Sequence, residues 1–134
     1  MNNADAMAEI EAARAEGRAA NLFAANMRGA NLICANLEYA NMRGANLKSS
    51  NMIAANLKSA NLGNAYLCRS NMKGANLTGA NLENTNLEYA NLMGANLTGA
   101  NLTRANLSGT NLEGAIIGRG WIATAQKKEA RRDH

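Results

Sequence analysis

The side chains best suited to covalent or metal chemistry are few and badly placed for it. The single histidine is the last residue, His134, and the two cysteines, Cys34 and Cys68, stand far apart in the chain. A catalytic triad needs an imidazole oriented by a third group, and a zinc site needs three or four nitrogen or sulfur ligands. Neither can be assembled here. Glu83 and Glu88 are expected to face solvent from different sides, and Gly118-Arg119-Gly120 lacks the strand and helix that frame a phosphate loop. The expectation is therefore no enzyme, with no catalytic, cofactor or metal residue. The chemistry that remains is that of binding. Its carriers are basic and aromatic side chains spaced among a large number of asparagines.

What positions them is a repeat. Every fifth residue from Leu22 to Leu112 is Leu or Met, and the residue before it is Asn in 18 of 20 pentads running from Ala20 to Arg119. Tyr66 and Ile116 are the exceptions. The first place is Ala except at Ser50, Ser70, Thr85 and Thr110. A five-residue period makes no stripe on an α-helix, where each step of five turns about 140°. On a straight strand it would send successive leucines to opposite faces. The pattern works if the first and third places point inward from a short extended segment and the fourth and fifth turn a corner. Four corners close a square of 20 residues. About five coils follow, at 20–39, 40–59, 60–79, 80–99 and 100–119, stacked about 4.8 Å apart. Gly ends eight pentads, from Gly29 to Gly114, where a tight turn calls for positive φ. No proline interrupts the ladders.

Ala20–Arg119 resembles the pentapeptide-repeat family, and this resemblance implies a right-handed quadrilateral parallel β-helix, an all-β solenoid. Many members carry Phe at some central places. Here those places are Leu or Met up to Ile117, so a regular rod without loop insertions is expected.

Residues 1–19 read as an N-terminal capping α-helix over the open end of the solenoid. Asn3 is the expected N-cap, Asp5 suits the positive end of the dipole, and Gly17 the stop. Met7, Ile10 and Ala13 would lie over Leu22, Met27, Leu32 and Leu37. Residues 120–134 read as a C-terminal cap or short helix with a basic tail. There Trp121, Ile122 and Ala125 either close the axis over Ile117 or, as in some members of the family, form a homodimer contact.

The net charge of +4 is uneven, −2 over residues 1–19 and +4 over the repeats. No signal segment or membrane span is expected, and two thiols that cannot reach each other fit a reducing cytoplasm. Grouping residues 20 apart gives the four walls of the rod. Arg28, Arg43, Lys48 and Arg69 gather into a basic patch beside Tyr66 and Tyr89, with Arg69 and Tyr89 placed for a cation–π contact. Ile33, Cys34, Ile53 and Ala54 form a small apolar contact patch. The asparagine column is expected to bond its own backbone and its stacked neighbours.

The leading expectation is a bacterial structural or protein-interaction scaffold of a kind abundant in cyanobacteria, with a protein partner. The resemblance also implies an alternative, binding of DNA gyrase or topoisomerase by mimicry of duplex DNA, as in quinolone-resistance proteins. That mechanism needs an acidic surface, and this one is basic. Nucleic-acid binding through the basic wall is the third possibility.

Overall fold

The computed structural model describes residues 1–118. Arg119 and the end cap or dimer contact expected at Trp121, Ile122 and Ala125 lie outside the described residues.

From Asn21 to Ile117 the chain is a parallel β-solenoid with a 20-residue period. The second place of each pentad pairs in parallel with the second place 20 residues on, giving four ladders, one of which runs Asn21, Asn41, Asn61, Asn81, Asn101. Pairing lengthens to two residues where β1 (Asn96–Leu97) lies beside β2 (Ile116–Ile117).

One pentad shows why the sequence supports this. In Ala40–Gly44 every N–H has an acceptor. Ala40 N–H closes the preceding turn on Leu37 O at 3.0 Å, and Asn41 N–H reaches back one coil to Ala20 O at 2.9 Å. Met42 and Gly44 N–H reach forward to Asn61 O at 2.7 Å and Gly63 O at 2.9 Å. The Arg43 N–H points along neither ladder and is taken by Oδ1 of Asn41 at 3.2 Å. A backbone donor left without a partner is costly, so the recurring asparagine has a structural reason.

The corner is a β-turn closed by the bond from the first place of one pentad to the third place of the last, such as Ala25 N–H to Leu22 O at 3.1 Å. Every fifth-place residue from Ala24 to Gly114 has φ between +53° and +72°. Positive φ at the third residue of the turn, without it at the second, defines type II. The sequence led us to expect this geometry at the glycines. It holds equally at eleven non-glycine residues, among them Cys34, Tyr39, Arg69 and Tyr89. An L-residue there costs roughly 1–2 kcal/mol. The turn closure and the ladder bond of the fifth-place N–H act against that cost, as at Tyr39 N–H to Lys58 O, 2.9 Å.

The core is a column of third-place side chains. All of them from Leu22 to Leu112 are at most 4% exposed, ringed by first-place alanines. Dense aliphatic packing of this kind makes each leucine worth about 2–5 kcal/mol against alanine.

The helix α1 (Asn3–Glu16) sits over one end, with Ala6 and Ala13 buried and Met7 and Ile10 packed against the core. Its N-cap is Asn2, not Asn3. The Asn2 backbone is extended and its Oδ1 accepts the Asp5 N–H at 2.8 Å, the three-residue reach of a capping side chain. Gly17 ends the helix at φ +66°, with Arg18 N–H bonded to Ala13 O at 3.0 Å. The cap also serves the exposed ladder edge. Asn21 N–H is taken by the Glu9 carboxylate at 2.8 Å, and Asn26 N–H by Met1 O at 2.9 Å.

Candidate interaction surface

The asparagines spend their polarity on the fold. All 18 turn Oδ1 onto the N–H two residues on, at 3.0–3.3 Å. Three also bond across coils through Nδ2: Asn41 to Asn21, Asn56 to Asn36 and Asn81 to Asn61. This leaves the fourth and fifth places, and the breaks at Tyr66 and Ile116, to carry any recognition.

Arg28, Arg43 and Arg69 are exposed and Lys48 is half-buried. Among the described residues none of the four has a carboxylate within 4.0 Å. Arg28 and Lys48 occupy the same column one coil apart, a like-charge neighbour pair that works against the fold. Arg43 lies along its wall over Gly63, where a β-carbon would fall 2.9 Å from Arg43 Nη1. The Arg69 guanidinium stands 4.9 Å from the centre of the Tyr89 ring, the cation–π contact expected from their 20-residue spacing. Tyr89 in turn rests on Gly109, where a β-carbon would meet Cδ1 at 2.5 Å. Tyr66 is 56% exposed and sits between Asn46 and Asn86 in the ladder.

Sequence reading missed the two glycine notches, although a signal was present. Each pairs a long side chain at one position with glycine 20 residues later, Arg43 with Gly63 and Tyr89 with Gly109.

Beyond the basic patch, Arg104 approaches Glu83 at 3.9 Å and donates from Nε to Asn84 Oδ1 at 3.0 Å. Glu83 and Glu88 are half-buried. Of the apolar patch, Ile33, Cys34 and Ala54 are exposed and Ile53 is half-buried. A groove of about 500 Å³ between α1 and the first coil adjoins it, lined by Met7, Ile10, Leu32, Ile33, Cys34 and Ala35 among others. Cys34 and Cys68 are free thiols on different ladders. Among the described residues no group of three or more His, Cys, Asp or Glu is placed to hold a metal ion. No described helix is long and apolar enough to cross a membrane.

At the cap, Glu9 and Arg18 form a two-pronged pair at 2.6 and 3.0 Å. The Arg18 hydrogen bond first, and the Asn21 N–H second, draw the Glu9 pKa down from 4.5 to about 2. Its hydrogen bonds to Glu9 and, from Nε at 3.0 Å, to Glu16 raise the pKa of Arg18.

The family description "Pentapeptide repeats" matches residues 18–48, 50–88 and 80–118, in eight copies. Among solved structures, a pentapeptide repeat protein of the Arabidopsis thaliana thylakoid lumen is 29% identical, covering 67% of this chain and 66% of its own, with a TM-score of 0.57. Rfr23 of the cyanobacterium Cyanothece is 31% identical over 85% of this chain and 97% of its own, at a TM-score of 0.38. HetL of the cyanobacterium Nostoc, described as involved in heterocyst differentiation regulation, is 31% identical over 75% of this chain and 59% of its own, at 0.35. A search among proteins of curated function returned no match.

Proposed function

The chain belongs to the pentapeptide-repeat family, and from that premise we propose that it is a non-enzymatic scaffold that binds another protein. One observation carries this reading. The inward places are filled by packed aliphatic side chains and the asparagine amides by their own backbone, so individuality resides in the outward fourth and fifth places. Those places present charge, aromatic rings and small apolar groups rather than a cluster of reacting residues. The finer architecture belongs to the same proposal: a right-handed, four-sided helix of five coils, working in the cytoplasm, where two free thiols are stable.

Mimicry of duplex DNA toward gyrase is disfavoured on charge. The repeats carry eight basic and four acidic residues, and a phosphate mimic requires the reverse. The test is a cross-linked pull-down from host lysate with the intact chain and with Arg43→Glu/Arg69→Glu. The scaffold reading expects a discrete protein partner. Recovery of none, or inhibition of gyrase supercoiling at stoichiometric protein, would overturn it.

A further inference from the structure

We infer that the wall carrying Lys48, Tyr66 and Arg69, with Arg43 on the wall before it, receives an acidic peptide segment of a protein partner, with the Tyr66 ring as its anchor. This deepens the scaffold reading and rests on it.

The first ground is a rule broken without local gain. Asn46 and Asn86, on either side of Tyr66 in its ladder, give Oδ1 to the N–H of Lys48 at 3.1 Å and of Glu88 at 3.0 Å. Tyr66 has no amide oxygen for the N–H of Cys68. Tyr66 is 56% exposed, so core packing does not replace the lost bond. Ile116, the other break in the asparagine column, is 57% exposed as well, but at Tyr66 the break falls among basic side chains, where such a local sacrifice points to function.

The second ground is cost of another kind. Arg28 stacks over Lys48, and neither cation has a carboxylate within 4.0 Å among the described residues. An incoming carboxylate would relieve that repulsion.

The third ground is preorganisation. The buried Gly63 has an ordinary φ, so its backbone does not require glycine; its lack of a side chain makes room for Arg43 along the wall. Arg69 is held against Tyr89, itself seated on Gly109. Two guanidinium groups are thereby placed before a partner arrives, which lowers the entropy lost on binding. Tyrosine and arginine are, with tryptophan, the side chains enriched among the residues that anchor protein interfaces.

The surface favours a peptide over nucleic acid. The basic stretch is short, and in the next coil Glu83 and Glu88 interrupt any phosphate track. Tyr89 is held between Arg69 below and Gly109 above. The other exposed rings, Phe23 and Tyr39, belong to pentads of other ladders, so Tyr66 is not one of a run of successive rings such as strand-binding proteins use. Two or three carboxylates on an extended segment fit a patch about 10 Å along the axis.

The test is fluorescence anisotropy on the intact chain with a labelled glutamate decamer carrying a central leucine, and with ten-residue oligolysine and oligothymidylate. The expected result is binding of the glutamate peptide that weakens with salt and falls at least about fivefold in Tyr66→Asn, Gly63→Ala and Arg69→Gln. Tyr66→Asn restores the repeat, and a β-carbon at Gly63 meets the flexible end of Arg43 first, with Asn61 Oδ1 at 3.2 Å and Asn81 Nδ2 at 3.4 Å beyond it, so thermal melts of both serve as the folding control. Absence of glutamate-peptide binding at low salt, binding indifferent to Tyr66→Asn and Gly63→Ala, or tighter binding of the oligothymidylate would each overturn the site. A partner cross-linked equally by wild type and Tyr66→Asn would leave the scaffold reading standing and remove this surface from it.

Discussion

The ring of Tyr89 occupies the space that a side chain on Gly109 would need: a β-carbon there would lie 2.5 Å from Cδ1 and 2.6 Å from Cε1. Gly109 also has φ +67°, so two independent constraints meet at one residue. Gly94 shares the φ of +67° but has nothing within 4 Å of its β-carbon position. Gly94→Ala should therefore cost about 1–2 kcal/mol, from backbone strain alone. Gly109→Ala should cost about 1–3 kcal/mol more, because the crowded atoms belong to a ring with few ways to yield. Thermal melts of the two variants compare the terms, and equal losses would show that Tyr89 moves aside freely.

The asparagine bonds should be worth their ordinary net value. Asn91 Oδ1 accepts the Met93 N–H at 3.0 Å, and Asn91→Ala should lose about 0.5–1.5 kcal/mol. Tyr66→Asn should gain a similar amount by supplying the acceptor that the Cys68 N–H lacks. Denaturant titration measures both. A destabilised Tyr66→Asn would mean that the exposed ring contributes packing that its surroundings do not reveal.

Legibility in the sequence followed the range of each interaction. The inward places could be read because alternation within a pentad and one corner per pentad depend only on neighbours in the chain. The Arg69–Tyr89 contact could be read because a 20-residue period converts it into a neighbour relation. The notches at Gly63 and Gly109 obey the same relation, but they require comparing side-chain size between coils, and glycine was read as a turn residue alone. Asn2 and Asn3 are equivalent as caps until the helix start is fixed, so the choice between them depended on docking. The role of Glu9 was invisible because it depends on where α1 lies across the first coil, which nothing in the helix itself determines.

Two serines in one column should respond oppositely to the same substitution. Ser50 and Ser70 are each 1% exposed and 20 residues apart. Ser70 Oγ donates to Leu67 O at 2.7 Å, whereas Ser50 Oγ has no partner. Ser70→Ala should lose about 0.5–1.5 kcal/mol, while Ser50→Ala should be neutral or stabilising by up to about 1 kcal/mol, since a buried hydroxyl without a bond costs free energy. Melting temperatures of the pair decide it, and equal losses would place an unseen acceptor at Ser50.

The end cap should carry a pH dependence of definite sign. Glu9 binds Arg18 through both oxygens and accepts the Asn21 N–H at 2.8 Å, tying α1 to the exposed ladder edge. Its carboxylate is held at about 2 against 4.5 for the free group. A depressed pKa means that the folded state favours the charged form, so the contribution is complete above about pH 4.5 and is lost as pH falls toward 2. Arg18 is partly exposed, so salt should shrink the effect. Glu9→Gln keeps an oxygen for Asn21 but cannot titrate. Thermal melts from pH 6 to pH 2 should show the wild type losing its advantage over Glu9→Gln across that window. Parallel curves would mean that the helix is held by Ala6, Met7, Ile10 and Ala13 alone, with the ion pair contributing nothing to the cap.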